Sequence, residues 1–410
     1  MSTCIWYVSK YVAPPGSGTA GGRGYLLMKE LAHMGHKVVI ITSDSNKLAA
    51  PPQLDAGYLL QEVDGIQLWW VRTMKYTVAK SMRRILSWLH FEWRLVWLPK
   101  KSLPRPDVVV VSSLSLLTIF NGLWWKVRYK CRLVFEIRDI WPLTIIEEGG
   151  FKSTNPFVWV LGVVERLGYK YADAIVGTMP NLGAHVRNVL GYPRPTHCIP
   201  MGVDADLYAV PAALPDGYEK MNFPKDKFIV AHVGSIGITN ALDTFLECAQ
   251  AMSASLHIHF LVVGDGDLRE TYRLKYAHLN NLTFAPRVAK TMVQTVLSQC
   301  DLLYFSVHVS QVWQYGQSLN KVIDYMMAGK PVVASYTGFP SMINEADCGS
   351  YVPAGDVTAL QNEVERYAQM PEEERVVIGM RGKNWLLANR QYPKLAADYL
   401  AIMLDLKAPA

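Results

Sequence analysis

The chain has 410 residues, 50% of them hydrophobic, and 41 Lys and Arg against 35 Asp and Glu give it a formal charge of +6. That length and apolar content allow two domains with separate cores and exclude a disordered chain. The six cysteines are scattered singly with no CxxC pair, so neither a disulfide framework nor a zinc site is indicated; buried, reduced thiols are expected.

The first apolar run, residues 4–12, has neither the charged flank nor the length of a secretory signal. It leads into PGSGTAGGRG (15–24), an amphipathic pattern near 22–35 and a β-rich run at 37–42, which together predict a βαβ unit. The loop holds a GxGxxG at Gly16, Gly18 and Gly21, with Asp44 lying 23 residues beyond Gly21, as in a dinucleotide site. Pro14-Pro15 separates the strand from the glycines, however, and Gly22-Arg23-Gly24 prolongs the loop, which weighs against a nicotinamide enzyme. A structural turn, and a loop that presents Gly21 and Gly22 to a diphosphate or an acceptor, both stay open.

From Arg72 to Arg105 nine Lys or Arg stand against Glu92 alone, and ten of the twelve tryptophans precede residue 160. Val78, Met82, Ile85, Leu86, Leu89, Trp93, Val96 and Trp97 recur at helical spacing, with Lys80, Arg83, Arg84, Ser87 and Arg94 on the other side. This helix either rests on an anionic membrane surface or packs its apolar stripe on the core. Nucleic acid is not expected, because no zinc-finger, RNA-recognition or helix-turn-helix pattern accompanies the charge.

Residues 108–125 come nearest to a membrane span, but the breaks at Ser112-Ser113 and Asn121-Gly122 predict a buried strand followed by a packed helix. Strands at 107–113, 132–137 and 174–178 extend an open parallel sheet, and a second α/β series has strands at 228–235, 257–267, 282–288, 301–307 and 331–336. The expected organisation is a first domain over 1–204, a proline-rich linker over 205–226, a second domain over 227–390 and a helical tail over 391–410 whose return to the first domain is left open. Ligands of two such domains belong at the strand carboxyl ends.

In YGQSLNKVIDYMMAGKPVV (315–333) a polar loop, Tyr315, Gly316, Gln317 and Ser318, feeds an apolar helix. Free amides and the positive dipole end at such a helix start suit the phosphates of a nucleotide. Lys321 adds a mobile charge, and Asp324, one turn on, is placed to accept hydrogen bonds from sugar hydroxyls.

This helix, with PMGVD (200–204), VVGDGDLRE (262–270) and GSYVPAGDVTAL (349–360), resembles the family-4 retaining glycosyltransferases. EIRDIWP (136–142) is similar to the RDLWP of a subgroup that transfers N-acetylated hexosamines or deoxyhexosamines in surface polysaccharide (O-antigen or capsule) assembly. The resemblance implies an α/β fold of GT-B type, two Rossmann-like parallel-sheet domains facing a cleft. It also implies a UDP-sugar donor held mostly by the second domain, a polyprenyl-diphosphate-linked acceptor, retention without a metal or other cofactor, and a peripheral place on the cytoplasmic face of the membrane.

Residue by residue, the resemblance puts Arg287 and Val288 at the base, Asp324 at the ribose as second acid of an EX7E motif, and Asn320 and Lys321 beside the diphosphate and sugar. The first acid falls on Gly316, and the Arg and Lys that commonly grip the diphosphate fall on Ser235 and Asn240. A departing diphosphate then needs other donors: Lys321, helped by Arg287 and the amides near Gly234 and Gly22. Asp139 is the candidate to orient or deprotonate the acceptor hydroxyl, with Arg138 on an acceptor phosphate, although the pair also reads as an internal Arg–Asp contact. His185, His197 and His232 stand alone and read as core or surface histidines. Two other functions are weighed: a GT-B sugar-nucleotide 2-epimerase, which would need clustered acids and histidines, and a non-catalytic nucleotide-sugar or lipid-binding subunit, kept open by Gly316.

Overall fold

The computed structural model describes residues 2–16, 21–46, 51–76 and 81–405, apart from the side chain of Lys101. Gly18 of the glycine loop, and Val78 and Lys80 of the basic stretch, lie outside the described residues. The chain divides into two compact units, Met1–Gly202 with Tyr392–Ala410, and Val203–Gln391.

The first unit is built on β1 (Cys4–Val8), β2 (Lys37–Ser43), β3 (Tyr58–Val63), β4 (Ile66–Val71), β5 (Val108–Ser112), β6 (Arg132–Ile137), β7 (Ala174–Gly177) and β8 (Thr196–Cys198). Their order is β3-β4-β2-β1-β5-β6-β7-β8, parallel except for β3, which runs antiparallel to β4. The inner strands are continuous apolar runs, such as VVVV in β5, because helices cover both faces. Order reverses between β1 and β5, so the loops after those strands splay apart and leave room for a ligand.

The helices that matter for function here are α1 (Arg23–His33), α2 (Met82–Trp97), α3 (Thr118–Tyr129), α4 (Leu143–Glu147) and α5 (Pro156–Tyr171). Residues 108–125 thus form a buried strand followed by a packed helix. Among the described residues no helix is long and apolar enough to cross a membrane. The C-terminal helix, Tyr392–Asp405, belongs to the first unit and buries Leu395, Ala396, Tyr399 and Met403 in the core that α1 shares.

One buried charge network ties these elements together. Arg23, the first residue of α1, pairs with Glu136 of β6 at 2.9 Å with both side chains fully buried. It also donates to the carbonyls of Ile199 and Pro200. Glu136 accepts from Tyr7 of β1 and from Tyr399 of the C-terminal helix. Arg23 holds the Glu136 carboxyl below its usual range, against burial, which acts in the opposite direction.

Of the two packings that the spacing left open for α2, the structure does not bear out a stripe packed on the core. Ser87, Trp88, Phe91 and Leu95 are buried, whereas Met82, Leu86, Leu89, Trp93, Val96 and Trp97 are exposed. The stripe that the spacing selects is therefore the outer face, and Ser87, read as polar surface, faces inward and donates to the Met74 carbonyl. The thiols need a correction too: Cys198 is exposed, while the other five are buried.

The second unit has six parallel strands, β9 (Phe228–Val233), β10 (Ile258–Val263), β11 (Leu282–Ala285), β12 (Leu302–Ser306), β13 (Val332–Ser335) and β14 (Gly349–Val352), in the order β11-β10-β9-β12-β13-β14. Its reversal lies between β9 and β12. The segment 205–226, read from the sequence as a linker, falls within this unit. Tyr218 is buried there, its hydroxyl donating to the Pro286 carbonyl at 2.7 Å.

Candidate functional site

A pocket of about 470 Å³ opens at the carboxyl ends of β9, β10 and β11 in the second unit, beside the start of the helix Asn320–Met327. Seven residues read from the sequence as donor contacts line it together: Gly234, Ser235, Arg287, Val288, Asn320, Lys321 and Asp324. Strand ends next to a reversal in strand order are where open α/β sheets bind ligands. The wall is backbone-rich because the chain comes very close to itself: Gly264, at φ +151°, lies so near Gly234 that a β-carbon there would sit 1.8 Å from the Gly234 carbonyl oxygen.

Lys321 is the central cation. Its ammonium donates to Asn240 Oδ1, and Asn240 Nδ2 donates to Ser235 Oγ at 2.9 Å. The two positions that lack the expected Arg and Lys thus hold and aim a lysine that arrives from another element. Burial pulls the Lys321 ammonium down to about 8, so it is largely charged at neutral pH and sheds its proton just above. Leu319, the N-cap of its helix, offers no capping side chain, which leaves the first amides without a side-chain acceptor. Cation, amides and dipole therefore converge on one place suited to an anion.

Asp324 is buried and fully engaged. Lys290 lies 2.5 Å from its carboxylate, the Tyr208 hydroxyl donates to Oδ1 at 2.8 Å, and Gln294 donates to its backbone carbonyl at 2.9 Å. Sequence reasoning missed Lys290, Tyr208 and Asp265, which also lines the pocket. Lys290 and Tyr208 stand 34 and 116 residues from Asp324, beyond any local spacing signal.

Tyr315, Gly316, Gln317 and Ser318 do not line this pocket. Gly316 adopts φ +106°, a left-handed conformation that suits glycine, so an acid there would be strained as well as absent. Gln317 is buried and donates to the Tyr351 hydroxyl at 3.3 Å. His232, at the end of β9, is fully buried, and burial with nearby Lys321 pushes its imidazole down to about 3, which keeps it neutral.

In the first unit, Arg138 and Asp139 follow β6, and Ser113, just past β5, fixes their loop. Ser113 Oγ accepts from the Arg138 amide at 2.9 Å and lies 3.2 Å from the Asp139 carbonyl. Burial raises the Asp139 carboxyl above its ordinary value, with Arg138 and Arg84 opposing, and a raised carboxyl is a better proton acceptor once ionised. Trp141 in the same loop packs edge-on against Trp88 of α2 at 5.6 Å. Gly21 and Gly22 lie at the foot of α1, where the Gly22 amide donates to the Ala13 carbonyl at 2.7 Å. Asp44 accepts from the Thr73 amide at 2.8 Å and pairs with Lys75 at 2.7 Å. His185 is a core residue paired with Glu165 at 2.7 Å, and His197 is exposed.

Comparison with known proteins bears on the fold of both units. Residues 20–202 match the model described as a glycosyl transferase 4-like domain, and residues 227–370 match glycosyl transferases group 1. No curated protein sequence matches the chain. Among solved structures, sucrose-phosphate synthase from Thermosynechococcus elongatus is 18% identical with a TM-score of 0.72, over 98% of this chain and 99% of that one. HepE from Anabaena, solved with UDP and glucose, is 14% identical with a TM-score of 0.64, over 98% and 99%. WaaG, a glycosyltransferase involved in lipopolysaccharide biosynthesis, is 16% identical with a TM-score of 0.64, over 97% and 99%.

Proposed function

Because the chain is a glycosyltransferase of GT-B type, a 4-like domain followed by a group 1 domain, we propose that it moves a sugar from a UDP-sugar onto a polyprenyl-diphosphate-linked saccharide in polysaccharide assembly. The observation that carries the donor half is the Lys321–Asn240–Ser235 chain at the mouth of an anion-suited pocket. HepE, solved with UDP and glucose, supports a UDP-linked donor, and WaaG supports a role in surface glycan assembly. The RDIWP sequence supports an N-acetylated hexosamine or deoxyhexosamine as the sugar.

In this reading Arg287 and Val288 flank the base, and Asp324 exchanges Lys290 and Tyr208 for ribose hydroxyls. The diphosphate rests on Lys321 and the amides at Ser235 and Asn320, the Gly234 amide being held by the Val263 carbonyl at 2.9 Å. As the glycosidic bond breaks, negative charge grows on the leaving diphosphate, and a preorganised cation with aimed amides stabilises that charge more than the ground state. Arg138 binds acceptor phosphate. Asp139 takes the proton of the attacking hydroxyl, and attack from the face of the leaving group retains configuration without a metal. The enzyme works at the inner face of the cell membrane, against anionic lipid.

Incubating the purified protein with a panel of UDP-N-acetylhexosamines and a lipid-diphosphate acceptor is expected to release UDP and extend the acceptor by one sugar. Absence of turnover with every donor in the panel refutes the reading.

A further inference from the structure

Two neighbouring helices of the first unit leave their apolar sides uncovered. Leu89, Trp93 and Trp97 of α2 are 51%, 56% and 70% exposed, and Phe120, Trp124 and Val127 of α3 are 47%, 44% and 79% exposed. The helices are held side by side by Glu92, whose carboxylate accepts from Thr118 and Asn121 of α3 at 2.7 Å each. Lys100, just past α2, lies over the Trp124 ring at 5.1 Å and closes the seam. Six large apolar side chains exposed on two adjoining helices exceed the singly scattered apolar residues of an ordinary surface.

The charge beside them identifies the covering surface. Along the two helices the charged side chains are Arg83, Arg84, Arg94, Lys126 and Arg128 against Glu92 alone, which those helix-to-helix bonds hold in the seam, while Lys126 pairs with Asp173 beyond α3 at 2.5 Å. Tryptophans flanked by arginine and lysine, with no free acid, match the boundary between acyl chains and anionic headgroups.

We propose that α2 and α3 together seat the first unit on an anionic bilayer, with Trp93, Trp97 and Trp124 entering the headgroup boundary. The inner side of α2 presents Trp88 to Trp141 of the loop that carries Arg138 and Asp139, so one helix joins the lipid-facing side chains to the candidate acceptor site. This deepens the transfer reading by naming the surface that brings a lipid-linked acceptor to Asp139, and it rests on that reading only for the identity of the acceptor.

The test is co-sedimentation of the full chain with vesicles of phosphatidylglycerol and phosphatidylethanolamine, and with vesicles of phosphatidylcholine alone. Binding to the anionic vesicles is expected, weakened at least tenfold by Trp93→Ser with Trp97→Ser and by Arg83→Glu, with thermal unfolding unchanged. No binding by the wild-type chain, or binding by both variants equal to wild type, overturns the proposal. So does size-exclusion chromatography in which a wild-type dimer separates in the tryptophan variant, since a second copy would then be the occupant. Vesicle binding without turnover of any UDP-sugar upholds the seating and counts against the transfer reading alone.

Discussion

The ammonium of Lys290 sits 2.5 Å from the carboxylate of Asp324, so the acid read as the ribose ligand is already paired inside its own pocket. Lys290 is itself well exposed, and an ion pair with an exposed partner contributes only about 0–1 kcal/mol. Exchange for two sugar hydroxyls is therefore cheap. Asp324→Ala is expected to weaken UDP binding about tenfold or more, as hydrogen bonds to a charged group contribute roughly 1.5–3 kcal/mol. Lys290→Ala is expected to stay within about threefold of wild type by the same pair arithmetic. Isothermal titration of both variants with UDP checks the contrast.

Nucleotide affinity should depend on pH through Lys321. Its free-protein pKa is lowered to about 8, so the cation that receives the diphosphate is present below that value and lost as pH rises through it. UDP affinity is expected to fall between pH 7.5 and 9 by about tenfold per unit at the steepest, the limit for one proton. In Lys321→Arg, which stays charged throughout, the profile should be flat.

Asp139→Asn removes the proton acceptor and keeps the shape of the loop. Turnover is expected to drop roughly 10²–10⁴-fold, the usual contribution of a positioned base, with UDP affinity unchanged. Single-turnover kinetics beside UDP titration would separate the two effects. A parallel loss of UDP affinity would move Asp139 out of the acceptor role.

The Arg23–Glu136 pair makes a prediction about stability. Both side chains are fully buried, and Glu136 accepts from Arg23, Tyr7 and Tyr399 at once. Glu136→Ala leaves a buried guanidinium uncompensated, and urea unfolding should show a loss of roughly 3–5 kcal/mol. Tyr399→Phe removes only one of three donors and should cost about 1 kcal/mol.

The parallel strands could be read from the chain because strands buried on both faces are unbroken apolar runs such as VVVV at 108–111 and IHFLVV at 258–263. The β3–β4 hairpin escaped that reading. Tyr58–Val63 alternates between exposed and half-buried positions, and its one strong cue was the Asp64-Gly65 turn. For α2 the spacing identified a helix and its apolar stripe but left the packing open, because periodicity shows that an apolar side exists and not what covers it. In the pocket, Asn320, Lys321 and Asp324 share one helix and could be read together, whereas Lys290 and Tyr208 reach Asp324 only through tertiary folding.

Lys321→Ala tests the account most directly, with UDP affinity measured by isothermal titration and UDP release measured with the lipid-linked acceptor. A loss of at least tenfold in affinity, with a larger loss in turnover, is the predicted result. An unchanged dissociation constant together with unchanged turnover would contradict the claim that this ammonium receives the departing diphosphate.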